Sequence, residues 1–227
     1  VQGTLTATGY RYPTSPADPS KLDADDLLIG GPALIVGGNV AGGIILAVPP
    51  RDGTGDDRDN DGIKDSEEGS AVVRSYGTAP AMVIGHASND ITIGATLPSG
   101  VNHGLVNDGT IAGYGVYAGK SATGLQVGGL GGDVTINGGI RNTGVIGAQS
   151  KDAAATAVHL GSGANVGKIL NLGRIEAITD GKTADAVATA IQIDAGSTLT
   201  TIENSNLISA KTGGEAGKAF AIVDASG

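Results

Sequence analysis

The second half of the chain repeats an Asn-x-Gly-x-Ile element every 29 to 35 residues, and this period constrains the fold more than any other feature. The copies are Asn107-Asp108-Gly109-Thr110-Ile111, Asn142-Thr143-Gly144-Val145-Ile146, Asn171-Leu172-Gly173-Arg174-Ile175 and, with substitutions, Asn204-Ser205-Asn206-Leu207-Ile208. A fixed period of this length marks stacked structural repeats, in which each unit buries its apolar face only against its neighbours.

Aligned on the Asn, the copies place Leu105, Ile140, Ile169 and Ile202 two residues before it and Ile111, Ile146, Ile175 and Ile208 four residues after it. A second register aligns Leu125-Gln126-Val127, Val158-His159-Leu160, Ile191-Gln192-Ile193 and Phe220-Ala221-Ile222. Both alternate with the period of two that strands require, so the flanking residues of each triplet are expected to face inward and the middle one outward. Earlier copies are degenerate. Pro32-Ala33-Leu34-Ile35-Val36-Gly37 matches Pro80-Ala81-Met82-Val83-Ile84-Gly85, Asp90-Ile91-Thr92-Ile93 matches Asp133-Val134-Thr135-Ile136, and Gly3-Thr4-Leu5 resembles Gly109-Thr110-Ile111. The short strands are separated by Gly, Asn, Asp and Ser clusters, which favour turns. Only the Ala-rich stretches 151–158 and 182–190 are ambiguous between helix and strand.

These observations predict an all-β fold, a right-handed parallel β-helix of triangular section with five or six coils. It forms one domain over residues 1–227, with an acidic insertion at 49–70. Stacking at about 4.8 Å per coil gives a stub of roughly 25 to 30 Å. The recurrent Asn belongs at a corner, either as a ladder of stacked amides or as a turn residue chosen for its backbone conformation. Forty glycines, one Phe and no Trp require a core of thin aliphatic layers.

The insertion differs from everything around it. Residues 49–69 hold eight acidic and three basic side chains. Within them Asp57-x-Asp59-x-Asp61-Gly62-x5-Glu68 fits the calcium-loop pattern, which brings alternate carboxylates to one point on a tightly curved loop. Asp57, Asp59 and Asp61 are expected to ligate by side chains, Ile63 by its carbonyl, Asp65 directly or through water and Glu68 with both oxygens, while Gly62 permits the turn. The loop resembles the Asp-rich calcium repeats of thrombospondin type 3, and its expected role is structural rather than sensing.

A net charge of −9 opposes nucleic-acid binding. No apolar run approaches the ~20 residues of a membrane-spanning helix, so no membrane insertion is expected within this segment. No catalytic motif is visible: His86, His103 and His159 are each isolated in sequence, with His159 expected at an outward, solvated position, and Gly128-Gly129-Leu130-Gly131-Gly132 reads as a turn. Arg141, Lys168 and Arg174 are candidates for meeting an acidic glycan across coils, against a simpler reading as a solvated face. Both ends read as ordinary coil sequence, so either further polypeptide or self-association through the open ends is expected to cover them.

The run Val36-Gly37-Gly38-Asn39-Val40-Ala41-Gly42-Gly43-Ile44, the Asp-rich loop, Ala79-Pro80-Ala81-Met82-Val83-Ile84-Gly85 and the repeat typified by Asn142-Thr143-Gly144-Val145-Ile146 together resemble the passenger region of a bacterial autotransporter, in particular the large surface proteins of sphingomonad-type bacteria. That resemblance implies a secreted β-helix displayed on the surface of a Gram-negative cell, with a structural or adhesive role and a surface receptor or glycan as partner. The rival readings are a polysaccharide lyase or hydrolase, and a calcium-dependent binding module.

Overall fold

The computed structural model describes residues 1–9, 18–23, 26, 30–49, 57, 62–95 and 102–227. The chain winds six times. The first winding is β1 (Thr4–Thr8), β2 (Leu34–Val36) and β3 (Ile44–Leu46); the second is β4 (Val72–Tyr76), β5 (Met82–Ile84), β6 (Ile91–Ile93) and β7 (Leu105–Asn107). The third is β8 (Thr110–Ala118), β9 (Ala122–Val127), β10 (Val134–Ile136) and β11 (Ile140–Asn142). The fourth is β12 (Val145–Lys151), β13 (Ala155–Leu160) and β14 (Ala164–Asn171), the fifth β15 (Arg174–Asp180), β16 (Val187–Ile193) and β17 (Thr198–Asn204), and the sixth β18 (Leu207–Thr212) and β19 (Lys218–Asp224). The one helical element among the described residues is a short 3-10 turn, Pro19–Lys21.

The strands form three parallel sheets. The first runs β1-β4-β8-β12-β15-β18, the second β2-β5-β9-β13-β16-β19, and the third joins β3, β7, β11 and β14, with β6 and β10 on its flank and β17 pairing with β14. This is the right-handed parallel β-helix expected from the repeat. The ambiguous Ala-rich stretches are loop and strand, because their alanines line the interior rather than one stripe of a helix: Ala155, Ala157, Ala188 and Ala190 are all fully buried.

Side chains one winding apart stack in columns. Leu5, Val73, Ile111, Ile146, Ile175 and Ile208 are consecutive register partners, so the predicted isoleucine column exists and continues back to the weak Gly3-Thr4-Leu5 copy. Ile44, Leu105, Ile140, Ile169 and Ile202 form a second column. The degenerate early copies pair as aligned, Leu34 with Met82 and Ile91 with Val134. Beside the large columns runs a narrow one, Ala7, Ser75, Gly113, Ala148, Ala177 and Ala210. Opposite walls therefore approach closely. A Cβ on Gly113 would lie 2.1 Å from the Thr123 carbonyl oxygen, inside any real contact. An interior this thin has no room for Phe or Trp.

One alignment is corrected. Ile191 pairs with Ile222, Gln192 with Val223 and Ile193 with Asp224, so the last triplet is Ile222-Val223-Asp224, two residues beyond Phe220-Ala221-Ile222. A slip of two conserves facing, because side chains alternate with that period, and the apolar pattern alone therefore did not reveal it. The Val127, Leu160 and Ile193 column ends in a carboxylate.

Candidate functional site

The corner between the third and first sheets carries the chain's most regular chemistry. In the second to fifth windings it is crossed by two residues, 108–109, 143–144, 172–173 and 205–206, each preceded by the recurrent Asn. Asn107, Asn142 and Asn171 are wholly buried. Their amides form a ladder along the axis: Asn107 Nδ2 donates to Asn142 Oδ1, Asn142 to Asn171 and Asn171 to Asn204, each at 2.7 Å. The second amide hydrogens cap the turn, donating to the carbonyls of Val145, Arg174 and Leu207 at 3.2, 3.2 and 3.1 Å. The ladder and the turn roles left open by the sequence are thus both filled by the same side chains.

The glycine of the element has a separate cause. Neither Gly109, Gly144 nor Gly173 has a left-handed backbone, but a Cβ would lie 2.1, 1.9 or 2.2 Å from a carbonyl oxygen of the winding before it. The requirement is close approach of stacked backbones rather than an unusual dihedral angle.

In the first winding Leu46 occupies the Asn column, and the ladder stops there. Asn107 Oδ1, fully buried, accepts no hydrogen bond. At this same corner the acidic insertion replaces the two-residue turn. Its stem closes where the Ala71 amide donates to the Ala47 carbonyl at 2.8 Å, so the loop leaves and rejoins the stack at one point.

Within the insertion Gly62 has φ of +93°, the left-handed conformation expected at a sharp turn, and its amide donates back to Asp57 Oδ2 at 3.0 Å. Asp65 is buried. Asp65 Oδ2 and both Glu68 carboxylate oxygens are shielded from solvent. Ile63 has an exposed side chain, compatible with use of its carbonyl. Asp59 and Asp61 lie outside the described residues. Among the described residues no group of three or more His, Asp or Glu gathers to hold a metal. The hard oxygen donors, the turn glycine and the inward carboxylates are the kind that suit calcium.

The three histidines serve different turns and faces. His86 Nδ1 accepts from the amides of Ser88 and Asn89, both at 3.1 Å. His103 Nδ1 donates to the Gly138 carbonyl at 2.7 Å. Burial holds its pKa below the ordinary histidine value against that hydrogen bond, and the charges of Lys168 and Arg141 add to the lowering.

His159 is outward, as expected, but is not a solvated spacer. It is half-buried, and Nε2 meets Asp194 Oδ2 of the next winding at 2.7 Å. Gln192 Nε2 donates to Asp194 Oδ1 at 3.0 Å. Burial by itself raises the Asp194 pKa, but the hydrogen bonds from His159 and Gln192 and the histidine's charge outweigh it and hold the carboxyl low. No motif marked this pair, since 35 residues separate its members and Asp194 stands two residues beyond Gln192, the register partner of His159.

Arg141, Lys168 and Arg174, open between a glycan-meeting group and a solvated face, are each matched to an acid. Arg141 meets Asp108 at 3.2 Å, Lys168 meets Glu203 at 2.8 Å, and Glu176 is held between Arg174 at 2.5 Å and Lys211 at 2.6 Å. The lysine hydrogen bond chiefly, with Arg174 against a burial cost, keeps Glu176 ionised below its usual range. No helix among the described residues is long and apolar enough to cross a membrane. The chain matches no family model, no curated protein and no solved structure.

Proposed function

We propose that this chain is a rigid display rod of the bacterial cell surface, structural or adhesive in role, whose first winding is fastened by calcium. The observation that supports it is the parallel stacking of six windings on a continuous aliphatic interior, which fixes the outer faces relative to one another. Surface placement rests on the resemblance of the repeat and the Asp-rich loop to autotransporter passengers.

Calcium enters through the corner insertion. Asp57, Asp59, Asp61, Asp65, Glu68 and the Ile63 carbonyl hold it, and it neutralises carboxylates that burial would otherwise penalise. Because the loop springs from a single stem, holding its carboxylates together also holds the first winding on the second.

The test combines calorimetry and melting. Titration of the chelated protein with calcium is expected to show one site, with a thermal midpoint several degrees higher in the loaded form, as binding to the native state alone requires. Asp59→Ala and Asp57→Ala are expected to lower the affinity at least tenfold with the strand signal in circular dichroism unchanged. Equal midpoints with and without calcium overturn the fastening role. Labelling of intact cells against permeabilised ones tests display.

A further inference from the structure

We propose that the outer face of the first sheet holds a binding site for a carboxylate-bearing sugar residue of an acidic glycan. The proposal deepens the adhesive reading by naming the class of partner. A depression of about 150 Å³ lies there, lined among others by Thr110, Ala112, Tyr114, Gly147, Gln149 and Glu176. It suits one ring rather than the ~300 to 1,000 Å³ of a pocket for a larger organic ligand.

Its floor is open because of side chains the fold does not require to be small. In the outward column Arg74, Ala112, Gly147, Glu176 and Ser209 follow one another. A Cβ on Gly147 would meet nothing nearer than 3.6 Å, and its backbone is not left-handed. The glycines of the corner and interior are enforced by collisions; this one is not, and what it leaves is space on the outer face.

One wall is aromatic. Tyr76 and Tyr114 are register partners in adjacent windings, with ring centroids 5.3 Å apart and planes 20° apart. The stack therefore runs along the axis, and Tyr114, its last ring, borders the depression. An aromatic face is electron-rich and attracts the weakly positive C–H groups on one face of a pyranose. Hydroxyl, amide and carboxylate groups of Thr110, Gln149 and Glu176 supply the polar rim that orients such a ring.

Charge selects an acidic sugar. The strands of this sheet carry four basic and two acidic side chains, Arg74, Lys151, Arg174 and Lys211 against Glu176 and Asp180, in a chain whose net charge is −9. Glu176 lies between Arg174 and Lys211, which leaves positive charge in excess at that end. Arg74 stands at the other end of the column, its Nε donating to Thr6 Oγ1 at 3.2 Å. Arg74 is the register partner of Ala112 and Arg174 that of Val145, both lining residues, so a guanidinium borders the depression on either side and can pair with a ligand carboxylate through two hydrogen bonds.

The experiment titrates the calcium-loaded chain with trigalacturonate, its methyl ester and maltotriose, read by calorimetry and by saturation-transfer NMR. Trigalacturonate alone is expected to bind saturably, with an affinity that falls as salt rises. Gly147→Val fills the floor and is expected to abolish binding with the melting midpoint kept; Tyr114→Ala and Arg74→Gln are each expected to weaken it at least tenfold, the latter with a shallower salt dependence. No saturable binding by the native chain, equal binding of the neutral sugars, or unchanged binding by Gly147→Val overturns the site. Intact-cell labelling without sugar binding would reject the site and retain display, whereas binding by a protein absent from the surface would do the reverse.

Discussion

At the scale of single residues, the buried amide ladder is the most exposed to test. Asn142→Leu leaves one Asn107 Nδ2 hydrogen and the Asn171 Oδ1 without their partners, both taken out of water, while the other Asn107 hydrogen keeps the Val145 carbonyl. At about 1 to 3 kcal/mol for each orphaned group, denaturant unfolding is expected to show a loss of about 4 kcal/mol, more than Asn204→Leu at the exposed end of the same column. Leu46→Asn places an amide beneath the unsatisfied Asn107 oxygen and is expected to cost less than Leu46→Ser, which is too short to reach it. Glycines divide likewise. Gly144→Ala drives a methyl into the Gly109 carbonyl and is expected to destabilise by on the order of 3 kcal/mol, whereas Gly147→Ala should change stability by less than about 0.5 kcal/mol. The Asn-x-Gly spacing was legible as a repeat, but not as the reason for its glycine, because the obstructing carbonyl belongs to a residue 35 positions earlier in sequence.

At the scale of strands, facing followed from alternation alone, since a winding whose interior is filled by side chains admits no other arrangement of Ile and Val. What alternation left undetermined was longitudinal register by steps of two, as β19 shows, and the pairing of polar groups between windings. Ile193→Asp tests both: it sets a second carboxylate directly beneath Asp224 in an interior column and is expected to cost 4 kcal/mol or more in chemical unfolding. Gln192, although outward, is not a neutral position, because its Nε2 donates to Asp194. Acid stability belongs to this scale too. His103, Asp194 and Glu176 all have folded pKa values below their ordinary ones, so the unfolded chain takes up their protons first as the pH falls. The His103 contribution is complete above about pH 6.5 and is lost as the pH drops through its lower folded value; the carboxylate contributions are kept down to about pH 4 and lost below it. Melting midpoints are expected to decline in two steps, the first absent from His103→Asn and the second reduced in Asp194→Asn and Glu176→Gln.

At the scale of the whole molecule, the candidate calcium loop was visible as a charge anomaly, and its position in the fold was not. Only the stack shows that it takes the place of the Asn corner in the one winding where the ladder ends. The first winding therefore lacks the amide rungs that tie the others together, and chelation is expected to loosen it selectively: hydrogen exchange should quicken at β1 and β2 well before β12 to β16. Nearly every strand in this molecule finds its partner one turn of chain away, so each lap is held by its immediate neighbours alone. Without its cation the lap with the acidic detour has little to hold it to its one neighbour, and a protease acting on the chelated protein should trim it from that end while the laps next to it survive as a resistant fragment.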